Sequence, residues 1–212
     1  IRKLHCGEQP AVLPTRHGLD SYVGIPYSND MGPAEDGARS NPGRPIPVAK
    51  PNSKLPPLQE IGLLGVALPP LPLVENERVI ERIRGEDQSA LTRRYTERAV
   101  EFIHTNAKKP FFLYLAHNAV HFPHYPGKAF RGRSHQDLLR DWIQEVDWSV
   151  GEVLEAVRGA KLENKTMVIF TSDNGGPVFQ GAVNTPLRGS KDSTLEGGIR
   201  VCTIAWWPGK IP

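Results

Sequence analysis

Residues 166–194 read TMVIFTSDNGGPVFQGAVNTPLRGSKDST, and the reading of this stretch decides the fold. The apolar, β-branched run Met167 to Thr171 breaks off at Ser172-Asp173-Asn174-Gly175-Gly176, the pattern of a buried strand that delivers two oxygen-bearing side chains into a glycine turn. In open α/β sheets, ligands bind just beyond the carboxyl ends of strands. Lys191 follows in a loop of Gly, Ser, Asp and Thr, from which its ammonium can reach back towards Asp173 and Asn174. An acid, an amide and an ammonium on neighbouring loops point to a metal site beside an anion site.

Outward from this stretch, composition narrows the function classes. The chain has 212 residues, 39% hydrophobic and 23% charged, enough for one sizeable core. No run of 18 apolar residues is present, so no membrane-spanning helix is expected. The 26 Lys and Arg residues are scattered among 23 acids, giving a net charge of +3 and no basic stripe, which argues against nucleic acid as a partner. Cys6 and Cys202 lie near opposite ends without CxxC spacing, so zinc-ribbon and redox motifs find no support and the redox compartment stays open. The chain begins at Ile1 with no signal-peptide pattern and reads as a mature or truncated sequence.

The prolines between Pro33 and Pro72 argue for a surface excursion, because each fixes φ and removes an N–H. Leu71 to Ile83 alternates about Glu-Asn-Glu and predicts a short surface hairpin. Leu91, Tyr95, Ala99, Phe102 and Ile103 predict a helix from about Ser89 to Asn106, capped by Asp87 or Ser89. Pro110 ends it, and Phe111 to Leu115 predicts a buried strand. A second helix is expected from about Ser134, with Leu139, Ile143, Val146, Val150, Val153 and Val157 on one stripe, Ser134 and Asp137 as a capping box and Gly159 as the C-cap. Strands follow at Met167 to Thr171 and Arg200 to Trp206. Helix, strand, helix, strand in this order predicts an α/β fold with a mostly parallel sheet and helices on its faces. The domain organisation expected is a Pro-rich excursion and hairpin over residues 33–86, then an αβαβ portion over 87–212.

His117, His121 and His124 follow the Phe111 to Leu115 run in HNAVHFPH. Their spacing would suit zinc on a helix, but Pro123 and Pro126 argue against a helix here. Packing accounts for any one of them; a histidine in a cleft at this point can instead donate a proton to a leaving oxygen. Lys3 and His5 would share one face of a strand, either a plain exposed face or one beside an anion. Ser28 is equally a turn residue bonding its own backbone, and Asp147 reads as structural.

Four ordered motifs carry a family resemblance: residues 2–33 (RKLHCGEQPAVLPTRHGLDSYVGIPYSNDMGP), 110–127 (PFFLYLAHNAVHFPHYPG), 168–176 (VIFTSDNGG) and 187–201 (LRGSKDSTLEGGIRV). The chain resembles the sulfatases of the alkaline-phosphatase superfamily, and among them the arylsulfatase A and N-acetylgalactosamine-6-sulfatase branch. The resemblance implies an alkaline-phosphatase-like sheet with helices on both faces, incomplete at both ends, and an enzyme that hydrolyses sulfate esters. It implies that Asp173 and Asn174 are ligands of a Ca²⁺ ion, that Lys191 contacts the sulfate, and that His121 stands near the bridging ester oxygen. Lys3 and His5 match the lysine and histidine that hold the formylglycine nucleophile, and Ser28 matches a substrate-site serine. Sulfated carbohydrates or aryl sulfates are the substrates implied, in a periplasmic, secreted or lysosomal setting.

The family's C-x-P-S-R nucleophile motif and its amino-terminal pair of aspartates do not occur among these 212 residues. Where the family has Gly-Lys-Trp-His-Leu-Gly, this chain has Arg2-Lys3-Leu4-His5-Cys6-Gly7. The expectation is a sulfatase segment, with the nucleophile encoded upstream, that turns over nothing alone. The alternatives are a phosphodiesterase or phosphonate hydrolase of the same superfamily, or a non-catalytic anion-binding remnant. If part of the sheet is missing, an exposed edge makes self-association an expectation as well.

Overall fold

The computed structural model describes residues 10–26, 28–31 and 71–211. Lys3, His5 and Cys6, and nearly all of the Pro-rich excursion, lie outside the described residues. The chain divides into two compact units, Ile1–Val153 and Leu154–Pro212.

The first unit is built on an antiparallel sheet in the order β1 (Val23–Gly24), β2 (Leu71–Glu75), β3 (Arg78–Ile83). The predicted hairpin is β2 and β3, closed by Asn76 and Glu77, with Asn76 in the left-handed region (φ 55°) that asparagine tolerates best after glycine. Its expected surface position is wrong. Leu71, Leu73 and Ile83 pack with Ile25, Leu91 and Tyr95, whereas Val74 and Val79 pack with Leu13 and Tyr22. The pairing moves from Leu73↔Glu81 to Val74↔Val79, so Ile80 is the extra residue of a bulge. That bulge lets Val79 and Ile83, four residues apart on one strand, enter different apolar clusters.

Helix α1 (Leu91–Asn106) buries Leu91, Thr92, Tyr95, Thr96, Ala99 and Ile103, the three- and four-residue rhythm of its sequence. Neither expected cap operates on it. A 3₁₀ turn, Glu86–Ala90, leads into the helix; Asp87 accepts the Arg84 N–H at 3.0 Å and the Ser89 hydroxyl donates to the Glu86 carbonyl at 2.7 Å.

Helix α2 (Leu138–Gly159) starts later than expected, with Asp137 accepting the Arg140 N–H at 2.8 Å. Its buried face is rotated from the all-apolar stripe. Trp142, Glu145 and Ser149 are buried and Ile143 is 50% exposed. The polar members can be buried because each has a partner: Trp142 Nε1 donates to Thr92 Oγ1 at 2.9 Å, Ser149 Oγ lies 2.6 Å from Thr96 Oγ1, and the Glu145 carboxylate accepts the Gly127 N–H at 2.7 Å. One turn earlier, Asp141 accepts the N–H groups of Gly132 (2.7 Å) and Ser134 (2.8 Å). Burial opposes ionisation of Asp141, but its hydrogen bonds from Ser134 and Gly132 prevail and hold its carboxyl below the usual range. These two carboxylates fix the loop over residues 127–134 to α2. Asp147, the acid singled out on this helix by sequence, is exposed.

The expected strand Phe111 to Leu115 makes no ladder; Ala116 alone forms an isolated bridge, and Phe112 is 75% exposed. In the second unit, β4 (Val168–Thr171) pairs with β5 (Thr203–Trp206) in antiparallel register, Val168 opposite Trp206 and Thr171 opposite Thr203. Both sheets among the described residues are therefore antiparallel, and the mostly parallel sheet expected from element order is absent among them. Burial of β4 was also expected, yet Ile169 is 56% exposed. A parallel partner needs a crossover returning to the same sheet, whereas β4 and β5 are joined by a loop that doubles back. Cys202, beside β5, is an exposed free thiol.

Candidate active site

Ser28 and His121 are brought together in the first unit. The Ser28 hydroxyl is buried and lies 3.4 Å from His121 Nδ1, while the Phe122 carbonyl accepts from the same Nδ1 at 2.7 Å. A carbonyl can only accept, so Nδ1 carries the proton and Nε2 is left as the nitrogen that gains or loses one. The backbone on either side of Phe122 is clamped by residues that the sequence gave no reason to single out. Asn29 and Gln88 are both fully buried; Asn29 Nδ2 donates to Gln88 Oε1 (3.2 Å), His121 O (3.1 Å) and Pro123 O (3.3 Å), and Gln88 Nε2 donates to Asn29 O (3.1 Å). The only sequence signal for Asn29 was its place beside Ser28. Gln88 lies between Asp87 and Ser89, the two residues expected to cap α1, and was not singled out.

The other two histidines have packing roles. His124 is buried, with its ring edge-on to Phe122 and Trp142, and burial lowers its pKa, against an opposing pull from Asp137. His117 Nε2 lies 3.0 Å from Ser149 Oγ, which joins the histidine loop to the Thr96 and Ser149 contact between the helices. Although the His117 residue is half-buried, its Nδ1 is shut off from solvent without a hydrogen-bond partner. Burial therefore pushes the His117 pKa down from 6.5 to about 4.

A stability prediction follows from that shift. The unfolded chain takes up a proton at His117 below about pH 6.5, and the folded chain does so only near pH 4. The contribution of the neutral ring is full above pH 6.5 and is lost as pH falls towards 4, a change of up to about 3 kcal/mol. Urea unfolding at pH 7.5 and 4.5 should show His117→Gln, which keeps a polar side chain and does not titrate, losing less stability across that interval than the parent. Equal losses would contradict the assignment.

In the second unit, Asp173 and Asn174 leave β4 on the turn predicted from sequence, and Lys191 lies on the loop that returns to it. The Lys191 N–H donates to Gly176 O at 3.3 Å. The turn has no room for side chains. A methyl on Gly175 would stand 1.8 Å from Gly197 O, and one on Gly176 would stand 2.5 Å from Ala182 Cβ. Gly175 N–H donates to Gly198 O at 2.9 Å, and Gly197 N–H to Arg188 O at 2.8 Å, so the Gly-Gly turn presses against the second Gly-Gly pair, in helix α3 (Glu196–Ile199). Gly189 takes a positive φ of 102° on the same loop.

No hydrogen bond or ion pair engages the side chains of Asp173 or Asn174 among the described residues, and Asp173 is exposed. Uncommitted carboxylate and amide oxygens are the donors a hard cation takes. Among the described residues no three His, Cys, Asp or Glu side chains converge on one point. Asp173, Asn174 and Lys191 thus belong to the second unit and Ser28 and His121 to the first, and the positions of Lys3 and His5 lie outside the described residues.

Comparison with known proteins shows the family. The Sulfatase family model matches residues 11–212. N-acetylgalactosamine-6-sulfatase of Canis lupus familiaris is 34% identical over 218 residues, covering 100% of this chain and 37% of the relative. Arylsulfatase A of Bos taurus is 34% identical over 217 residues, covering 99% of this chain and 39% of the relative. The crystal structure of Ps i-CgsB in complex with k-i-k-neocarrahexaose superposes with a TM-score of 0.73 at 27% identity, covering 99% of this chain and 44% of that one. The chain thus spans less than half the length of each of these proteins.

Proposed function

Because the chain belongs to the sulfatase family, we propose that the whole protein hydrolyses sulfate esters, with sulfated carbohydrates or aryl sulfates as the substrate class. The observation that carries this reading is the tether between Lys191 N–H and Gly176 O, which holds an ammonium-bearing residue to the turn presenting Asp173 and Asn174. A sulfate ester gains negative charge on its oxygens as the S–O bond to the leaving group breaks. Lys191 meets that charge directly.

Asp173 and Asn174 would hold a Ca²⁺ ion, whose chemistry is to neutralise the sulfate oxygens as a Lewis acid. His121, with Nδ1–H held by the Phe122 carbonyl, acts as the imidazolium: Nε2–H gives its proton to the departing alkoxide oxygen and leaves the neutral ring with its proton on Nδ1. Ser28 fixes the imidazole from the side of Nδ1. Lys3 and His5 are assigned, by resemblance, to the neighbourhood of a formylglycine nucleophile encoded outside these residues. The same proposal gives the whole protein the mostly parallel, alkaline-phosphatase-like sheet with helices on both faces, in keeping with the similarity to Ps i-CgsB.

The proton role of His121 has its own test. In the full-length protein, His121→Gln should cost about 10²- to 10⁴-fold in kcat/KM for an alkyl sulfate, whose poor leaving group needs the proton. A nitrophenyl sulfate, whose leaving group departs as a stable anion, should lose far less. Equal losses on both substrates would overturn the assignment.

A further inference from the structure

We propose that Asn184 is a positioning residue for catalysis, acting through Lys191 by fastening its loop to the Asp173-Asn174 turn. The inference rests on Lys191 meeting the sulfate, as proposed above. Asn184 faces the backbone of Gly176 as a second peptide group would. Its Oδ1 accepts the Gly176 N–H at 3.0 Å, and its Nδ2 donates to Gly176 O at 2.8 Å and to Gly189 O at 3.1 Å. One side chain therefore ties Gly176, the second glycine after Asp173-Asn174, to the glycine two residues before Lys191, and only a carboxamide supplies the acceptor and both donors this requires.

The Gly176 carbonyl is where three donors meet. Asn184 Nδ2 approaches to 2.8 Å, while Ser190 Oγ and Lys191 N both stand at 3.3 Å. The two longer contacts come from the loop that must be placed, and the short one comes from Asn184, so the amide makes the best-formed of the three bonds at this carbonyl. Ser190 Oγ also accepts the Val178 N–H at 3.1 Å, so Ser190 adds a second, weaker tie between the loop and the segment after the turn. Without Asn184, the turn loses its shortest tie to the Lys191 loop and the only side chain that binds both Gly176 and Gly189 among the described residues, and the loop is held there by longer contacts. A misplacement of about 1 Å is enough to cost on the order of 10²-fold in rate.

The test is a double-mutant cycle in the full-length protein, with Asn184→Ala, Lys191→Ala and the pair assayed on one sulfate ester, each below its own Tm. Asn184→Ala should lower kcat by about 10²-fold with little change in KM, and the same change made on top of Lys191→Ala should cost almost nothing further. Amide exchange at Lys191 should quicken in Asn184→Ala. If Asn184→Ala unfolds the protein, Asn184→Ser enters the cycle with the same expectation at smaller size. Losses that add in full would overturn the positioning role, as would an unchanged kcat. A Lys191→Ala protein with full activity would instead contradict the function proposed for Lys191, a separate result.

Discussion

Asp173→Ala in the full-length protein is expected to abolish saturable calcium binding and to lower kcat/KM for a sulfate ester on the order of 10³-fold, while leaving the fold intact. The size of the loss follows from what the carboxylate would do. It supplies a full negative charge to a hard cation, and Asn174 alone offers a neutral amide oxygen in its place. The fold should survive because Asp173 is exposed and its side chain has no partner among the described residues. Substitutions of that kind usually change stability by no more than about 0.5 kcal/mol. Calorimetric titration with Ca²⁺, run beside sulfate release and a thermal melt, separates the outcomes. Unchanged calcium affinity with unchanged turnover would show that Asp173 is not a ligand.

Gly175→Ala is expected to be the most damaging small substitution in the second unit. The added methyl would stand 1.8 Å from Gly197 O, 2.7 Å from Gly197 C and 3.0 Å from Gly198 Cα. All three are backbone atoms, so no rotamer change relieves the overlap, and the Gly175 N–H bond to Gly198 O at 2.9 Å must open. A cost of about 3 kcal/mol is expected. Gly151→Ala on α2 is the matched control. Nothing lies within 4 Å of a methyl there, and alanine in a helix interior should gain up to about 1 kcal/mol over glycine. Comparison of the two urea midpoints checks both statements, and equal midpoints would contradict the close-packing account.

Local patterns in the sequence carried most of what proved legible. The 3.6-residue rhythm of α1 and the turn residues of the β2–β3 hairpin are short-range signals, and both elements form where they imply. The strand into Ser172-Asp173-Asn174-Gly175-Gly176 was equally plain, since only a tight turn accounts for two glycines after an apolar run. Long-range pairing was not legible. Element order alone suggested a parallel sheet, but the hydrogen-bonding direction of β4 depends on where the chain returns, and here it returns antiparallel.

Polar burial was the other blind spot. The buried face of α2 runs through Trp142, Glu145 and Ser149 because distant groups satisfy them: the Thr92 hydroxyl, the Gly127 N–H, and Thr96 with His117. Apolar periodicity chose Ile143 instead. Asn29, Gln88 and Asn184 were missed for the same reason, as a carboxamide that clamps backbone looks in sequence like any loop or cap residue. Family motifs marked Ser28, His121, Asp173, Asn174 and Lys191. The amides that hold their backbones became visible only through geometry.

The most direct test of the central claim is product release by the full-length protein, with calcium present, from an aryl sulfate and the matching aryl phosphate. The account predicts free sulfate from the first, in excess of phosphate from the second, and loss of that sulfate release in Lys191→Ala. Phosphate release without sulfate release, or sulfate release that Lys191→Ala leaves untouched, would contradict it.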